Sequence, residues 1–503
     1  MIAIMPRMCY HSYYARLVLF EKGIYIMVIS NIEPKSVMSI FESICAIPHG
    51  SGNTKAISDW CVDFAKERRL EYYQDELNNV IIIKEATEGY ENAAPIIIQG
   101  HIDMVCQSEP DLGKDMTKEG LDLAVDGDYI HAIGTTLGGD DGIAVAMGLA
   151  ILDANDIPHP RLEVVLTVDE ETGMYGAAGI DLSMLKGRSL LNIDSEEEGI
   201  FTVSCAGGAR ANCFLPLKGG EVEAETISIL IDGLMGGHSG VEIDKGRANA
   251  NILMGRVLSM MAPGSMAIVT LAGGSADNAI PLRCEATLVG DSQEIFAAVE
   301  KAEAVFKKEY RNTDAGVSVK AVKNAKETVY VLDGESTQKL CDALMLVPNG
   351  IRAMSSDIPG LVETSLNLGI MKLEKDMLRM SFALRSSVGS RKEALKAKLQ
   401  AAFRVLGGNV EITGDYPAWE FKADSPLRER MIEVYRRQYG AEPEVLAIHA
   451  GLECGLLSEK LPGLDAVSIG PNMKDIHTTK ECMSISSVQR VWKFVLEVLK
   501  ESK

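Results

Sequence analysis

The chain has 503 residues, 47% of them hydrophobic, and a formal net charge of -21 at neutral pH. That length is enough for two or more domains, and the acid surplus excludes nucleic acid and anionic membrane as partners, because both attract Lys and Arg. Ten cysteines are scattered along the chain without a Cys-x-x-Cys pair, which points to free thiols in a reducing compartment, the cytoplasm, rather than to a disulfide scaffold or a thiolate zinc site.

In chain order, the apolar runs Leu17–Phe20 and Ile24–Met27 are interrupted by Glu21 and Lys22, too broken for a membrane span or a secretory core. Met27 directly precedes helix-start residues (Ser30, Pro34, Ser36), so a translation start assigned too early and a genuine extension both fit residues 1–30, and no function is placed there. Helical spacing follows over 36–45 and 54–69. Short apolar runs (Val80–Ile83, Pro95–Ile98, Leu162–Val168, Ser189–Ile193) then alternate with helical stretches such as Ile143–Leu152. This alternation predicts an α/β domain with a mostly parallel central sheet. Ligands of such sheets collect beyond the carboxyl ends of the strands, and His101, Glu170 and Asp194 each follow an apolar run, as if on one rim.

From about Gly207 the pattern becomes α+β, with Thr226–Ile231 and Met266–Leu271 around a helix over Ala248–Met261. A similar order returns at Leu366–Ile370, Leu378–Leu384 and Lys392–Leu406, which hints at a two-unit insertion built by duplication. After Tyr416–Trp419 the first pattern resumes with a helix over Pro426–Tyr439, strands at Val445–Ile448 and Ala466–Ile469, and a last helix over Ser487–Lys500. The expected division is therefore 31–207 and 417–503 for one domain, interrupted by an α+β domain over 208–416.

Glu170 and Glu171 end the run Val164–Val168. Adjacent residues of a strand point to opposite faces, so the two acids can take different tasks, such as metal ligand and general base. In His101-Ile102-Asp103 the spacing puts both polar side chains on one face, where an Asp can accept the second imidazole N–H of a ligating His. Taken alone, such a pair is more often a satisfied histidine at a strand end. In Leu137-Gly138-Gly139-Asp140-Asp141-Gly142 the glycines permit a tight turn before a helix. Asp141 there reads as an N-cap, which leaves Asp140 free to bridge two cations with its two oxygens. Asp194 stands where Leu190–Ile193 stops, and Glu196–Glu198 read as solvated charge. His477 alone is a loop histidine. Oxygen ligands mixed with imidazole and no thiolate suit zinc, manganese or cobalt, and five such ligands with one shared favour a two-metal hydrolase.

These residues, with Ile47–Asn53, Gln99–Val105, Asp169–Gly173 and Ile448–Gly455, resemble the motifs of the M20 family of dizinc peptidases, and within it the bacterial aminoacyl-histidine dipeptidases. The likeness runs from about residue 31 to the C-terminus and implies a zinc-peptidase catalytic domain interrupted by a lid domain. It implies that Asp140 bridges two metals, that His101 and Asp194 complete one shell, and that Glu171 and His477 complete the other. Asp103 would orient His101, and Glu170 would be the general base toward a metal-bridging water. The Asp140–Asp141 bond would be cis. His238, in Met235–Gly240, would stabilise the oxyanion, while Asn278, Arg385 and Gly451 would grip substrate termini. For Arg385 this agrees with the fork of a guanidinium on a carboxylate, although a salt bridge or a plain turn also accounts for each of these three. His449 stays unassigned. The implied activity is cleavage of Xaa-His dipeptides, including β-alanyl-histidine. Tripeptidase, broad dipeptidase, carboxypeptidase or N-acyl amino acid deacylase activity is the alternative, and a non-catalytic binding protein is opposed by every expected position being filled. The native metal, a homodimer through the lid, and whether His238 serves its own subunit are left open.

Overall fold

A computed structural model describes residues 28–503; the reading of residues 1–27 lies outside the described residues. The chain divides into two compact units, one running to Ile200 and resuming at Leu427–Pro443 and Ser468–Lys503, the other comprising Phe201–Pro426 and Glu444–Val467. The sequence reading puts the crossings at 207/208 and 416/417. In the structure, Cys205 exchanges backbone hydrogen bonds of 3.0 and 3.1 Å with Trp419, and this pairing holds both flanking segments in the second unit.

In the first unit, the strands Glu71–Gln74, Val80–Lys84, Leu162–Thr167, Ile96–His101 and Ser189–Asn192 lie side by side in that order. The first two pair antiparallel, and Ile96–His101 is parallel to both of its neighbours. Parallel strands are covered on both faces and so read as near-continuous Ile, Leu and Val. The helix Gly139–Asp153 lies against Ile96–His101 and against the helix Lys35–Cys45, and it is apolar all round because it is covered all round. The register brings His101 level with Thr167 and Gln99 level with Asn192. Glu170, Glu171 and Asp194, two to four residues further on, therefore share one carboxyl rim with His101, as the apolar runs suggested.

A second sheet of this unit pairs Met473–Lys474, Cys482–Ser484, Tyr129–Ala132 and Leu123–Asp126 in that order. The loop between its first two strands carries His477. These strands are too short to show a period, and no sequence signal marked them.

The second unit contains two βαββαβ halves. The first is Gly219–Asp232, helix Ala250–Ser259, Met266–Gly273, Cys284–Gly290, helix Ser292–Glu309 and Ser318–Leu332. The second is Gly207–Pro216, helix Gly334–Leu346, Val362–Glu374, Met377–Ser386, helix Gly389–Leu406 and Asn409–Tyr416. In each half the neighbour order is fourth, first, third, second strand, and the two second strands pair with each other. This is the split βαβ arrangement. It gives physical content to the recurring order seen in sequence, with the first strand of the second half displaced ahead of the first half. Asn249, Asp291 and Asp333 accept backbone N–H groups at the starts of three of these helices, which satisfies donors that a helix leaves unpaired. One apolar core including Phe306, Leu340, Phe382 and Phe403 serves both halves.

Candidate metal centre and substrate-binding residues

Five side chains of the first unit converge. His101 Nε2 lies 3.1 Å from Asp140 Oδ1 and 3.7 Å from Asp194 Oδ1. His477 Nε2 lies 3.2 Å from Asp140 Oδ2 and 3.0 Å from Glu171 Oε1. The two oxygens of Asp140 thus face different imidazoles, with one further carboxylate on each side. A tetrahedral ion with bonds of about 2.0 Å separates its ligand atoms by about 3.3 Å, so the donor set fits two divalent ions sharing Asp140. Glu170 completes a third group, its ligand atom within 4.8 Å of those of His101 and Glu171.

The titration of these groups reflects the crowding. Burial alone would raise the Asp140 carboxyl, but hydrogen bonds to His101 and His477 outweigh it and hold the group low. Asp140 and Glu171 raise His477 to about 10. Burial, then Asp141, pushes Asp194 well up. A site in which some acids are pushed up while both imidazoles are drawn toward the cationic form is one short of positive charge, and divalent ions supply it.

Asp103 does more than face His101. The His101 Nδ1–H points to the backbone carbonyl of Asp103 at 3.0 Å, with the carboxylate 3.4 Å away. The carboxylate is occupied by other donors: Ser51 Oγ at 2.8 Å, the Glu170 amide at 3.1 Å and the Glu171 amide at 3.4 Å. It therefore holds the glutamate pair as well as facing the histidine. Just before that pair, Asp169 sits at φ 55°, a left-handed conformation that Asp tolerates better than most residues, and accepts the Gly52 amide at 2.6 Å.

The N-cap reading of Asp141 is corrected. Gly138, at φ 67°, occupies the cap position, and Asp140 and Asp141 have non-helical backbone joined by a cis peptide bond. The buried Asp141 carboxylate instead accepts the His101 backbone N–H at 3.2 Å, tying the turn to the neighbouring strand. Nor is Glu198 merely solvated charge, since both its oxygens meet Arg490 at 2.6 Å.

The second unit gathers the remaining predicted residues. His238 pairs with Ala279, and the Ser239 amide donates to the Asn278 carbonyl at 2.8 Å. His238 Nδ1 accepts the Gly240 and Val241 amides, both at 3.2 Å, which assigns the proton of the neutral ring to Nε2. Burial, then Arg385, lowers its pKa and keeps that neutral tautomer. A side chain at Gly240 would begin 2.7 Å from the His449 carbonyl, 2.9 Å from Arg385 Nε and 2.9 Å from the His238 ring, so these residues meet at a point where only glycine fits. Gly451 abuts the Tyr416 ring, whose hydroxyl lies 3.4 Å from Arg385. Tyr416 and His449 belong to this cluster, although no motif singled out the tyrosine. His449 Nε2 lies 2.7 Å from Ser365 Oγ.

Residues 97–501 match the model of peptidase family M20/M25/M40. The cytosol non-specific dipeptidase of Escherichia coli K12 is 36% identical over 481 residues, 94% of this chain and 99% of the relative. The chain belongs to this peptidase family. Among solved structures, the aminoacylhistidine dipeptidase of Vibrio alginolyticus superposes with a TM-score of 0.90 at 35% identity, covering 94% of this chain and 97% of its own. An aminopeptidase of Bacillus cereus shares the fold at a TM-score of 0.55 and 16% identity. This M20 chain is thus a metallopeptidase by family, with a candidate metal-ligand cluster on the rim of its parallel strands and a second polar cluster in its split βαβ unit. No described helix is long and apolar enough to cross a membrane.

Proposed function

We propose that this M20 peptidase is a cytosolic dipeptidase that cleaves Xaa-His dipeptides, β-alanyl-histidine among them. The observation that carries the reading is the carboxylate of Asp140, with one oxygen toward His101 and the other toward His477. His101, Asp140 and Asp194 would hold one ion, and Asp140, Glu171 and His477 the other; zinc, cobalt and manganese all suit these donors. When bound, two such ions polarise the scissile carbonyl and acidify water.

The chain's own residues supply the rest. Glu170 is outside both ligand triads yet within the same cluster, which suits it to take a proton from the attacking water and return it to the leaving amine. Asp103 holds Glu170 and Glu171 by their amides. In the second unit, His238 carries its proton on Nε2, the donor proposed for the developing oxyanion. The Arg385 guanidinium is proposed for the substrate carboxylate, with Asn278 and Gly451 for the substrate backbone. Substrates gripped at both ends are short, so dipeptides should be cleaved and longer peptides resist. The names of two similar proteins, one non-specific and one for aminoacylhistidine, support dipeptides as a class and Xaa-His within it.

The test pairs Glu170→Gln with a substrate panel. The variant should bind metal like the wild type and lose about 10²- to 10⁴-fold in kcat; normal turnover would remove Glu170 from the role of base. Cleavage of N-acyl amino acids in preference to Xaa-His and Xaa-Gly dipeptides would replace the dipeptidase reading by deacylation.

A further inference from the structure

Glu481 closes the loop that carries His477, and its side chain is turned inward, with only 3% of the residue exposed. Its two oxygens accept backbone N–H groups at opposite ends of the Gly138 turn: Oε2 from Leu137 and Oε1 from Gly139, both at 2.9 Å. Gly138 between them is at φ 67°, and a left-handed residue in this position turns successive amides toward one side, making a concavity for an anion. Such concavities commonly receive a ligand's phosphate or carboxylate. Here the anion is the protein's own.

The two segments joined in this way are the ones that must agree for two ions to be held. The Gly138 turn presents Asp140, and the loop four residues upstream of Glu481 presents His477. Nothing local fixes their spacing, since they are more than 300 residues apart in sequence and His477 itself is at φ 62°. A buried carboxylate is costly unless its oxygens are fully engaged. Burial pushes the Glu481 carboxyl up, while the amides of Leu137 and Gly139 pull it back. Asp140 repels it as well.

We propose that Glu481 is a positioning residue for metal binding: it locks the turn of Asp140 to the loop of His477, so that the Asp140 oxygens meet both ions. This rests on the metallopeptidase reading. It goes beyond that reading by assigning the assembly of the two half-shells to a residue that binds neither metal nor substrate. In Glu481→Gln one oxygen keeps an amide, while the new NH₂ group faces the other amide donor and forces it away.

The test is competition for Zn²⁺ between the protein and a chromophoric chelator, alongside thermal unfolding of the metal-free proteins. Glu481→Gln should weaken Zn²⁺ binding about 10- to 100-fold with little change in metal-free unfolding, and excess Zn²⁺ should restore most of kcat with KM unmoved. Glu481→Asp, which keeps the charge, should lose less, and the exposed Lys480→Ala should bind as the wild type does. Wild-type Zn²⁺ affinity in Glu481→Gln would overturn the proposal, as would a loss of metal-free stability in both Glu481 variants with unchanged Zn²⁺ affinity in whatever remains folded. If Glu481→Gln does not fold, the Asp variant decides by the same affinity criterion. A wild-type protein that binds Zn²⁺ but cleaves no dipeptide would count against the proposed function and leave the positioning role standing.

Discussion

Replacing Asp103 by Asn tests how the glutamate pair is held. The carboxylate accepts from Glu170 N at 3.1 Å through Oδ1, and from Ser51 Oγ at 2.8 Å and Glu171 N at 3.4 Å through Oδ2. An Asn has one acceptor oxygen. With that oxygen left on Glu170, its NH₂ group confronts the Glu171 amide, donor against donor, while the Ser51 hydroxyl can turn to accept. One charge-assisted bond is lost and another becomes neutral, a change from about 1.5–3 to about 0.5–1.5 kcal/mol for the bond retained. The sum is about 2.5–4.5 kcal/mol, which at about 1.4 kcal/mol per decade is on the order of 60- to 1,600-fold in kcat/KM. Because Glu171 is a proposed ligand and Glu170 the proposed base, the loss should divide between Zn²⁺ affinity and kcat, with KM nearly constant. Steady-state kinetics on a dipeptide at saturating Zn²⁺, combined with chelator competition, measure the two parts. An Asn variant within about 3-fold of the wild type in both would refute the clamp.

Other consequences can be checked independently. Burial, then Arg385 and His238, lowers His449 from 6.5 to about 4. Its folded pKa lies below its unfolded value, so the neutral ring favours folding above pH 6.5 and that stability is lost as pH falls toward 4. The loss is about 3 kcal/mol when complete, and His449→Gln should abolish this part of the difference between unfolding curves at pH 7 and pH 4. Removing metal with a chelator should lower the stability of the first unit by about 5 kcal/mol if each of two sites was held at 100 times its Kd; an unchanged Tm would mean that no ion had been bound there. Gly240→Ala, whose methyl would meet His449, Arg385 and His238, should raise KM or abolish turnover without altering metal content. Phe306→Ala, in the core of the second unit, should cost about 3–5 kcal/mol of stability while sparing the Zn²⁺ affinity of the first.

Three residues of the candidate site were legible because each stands at an abrupt change in pattern. Apolar runs stop at His101, at Glu170 and at Asp194, and parallel pairing then aligns these ends. Asp140 was legible as the acid that a helix cap would not require, though the structure shows that Asp141 is not the cap either. What remained hidden is long-range. The partners of Asp103 are 52 to 68 residues distant, and those of Glu481 are 342 and 344 residues away, so neither clamp has a local signature. Glu163 teaches the same point within a strand: it interrupts an apolar run, yet it is fully buried because Arg161 and the amides of Lys186 and Gly187 surround its carboxylate. The short strands flanking His477 left no periodicity, so its loop was visible and its support was not. The two βαββαβ halves showed as a recurring order of elements, but their interleaved strands are apparent only from the pairing.

The most direct test of the account is titration of metal-free protein with Zn²⁺ while bound metal and dipeptide hydrolysis are followed together. The account predicts two ions per chain in the wild type, activity that needs the second equivalent, and loss of tight binding of both ions in Asp140→Ala, because one carboxylate serves both. Full activity at one equivalent, or an Asp140→Ala protein that still holds two ions tightly, would contradict it.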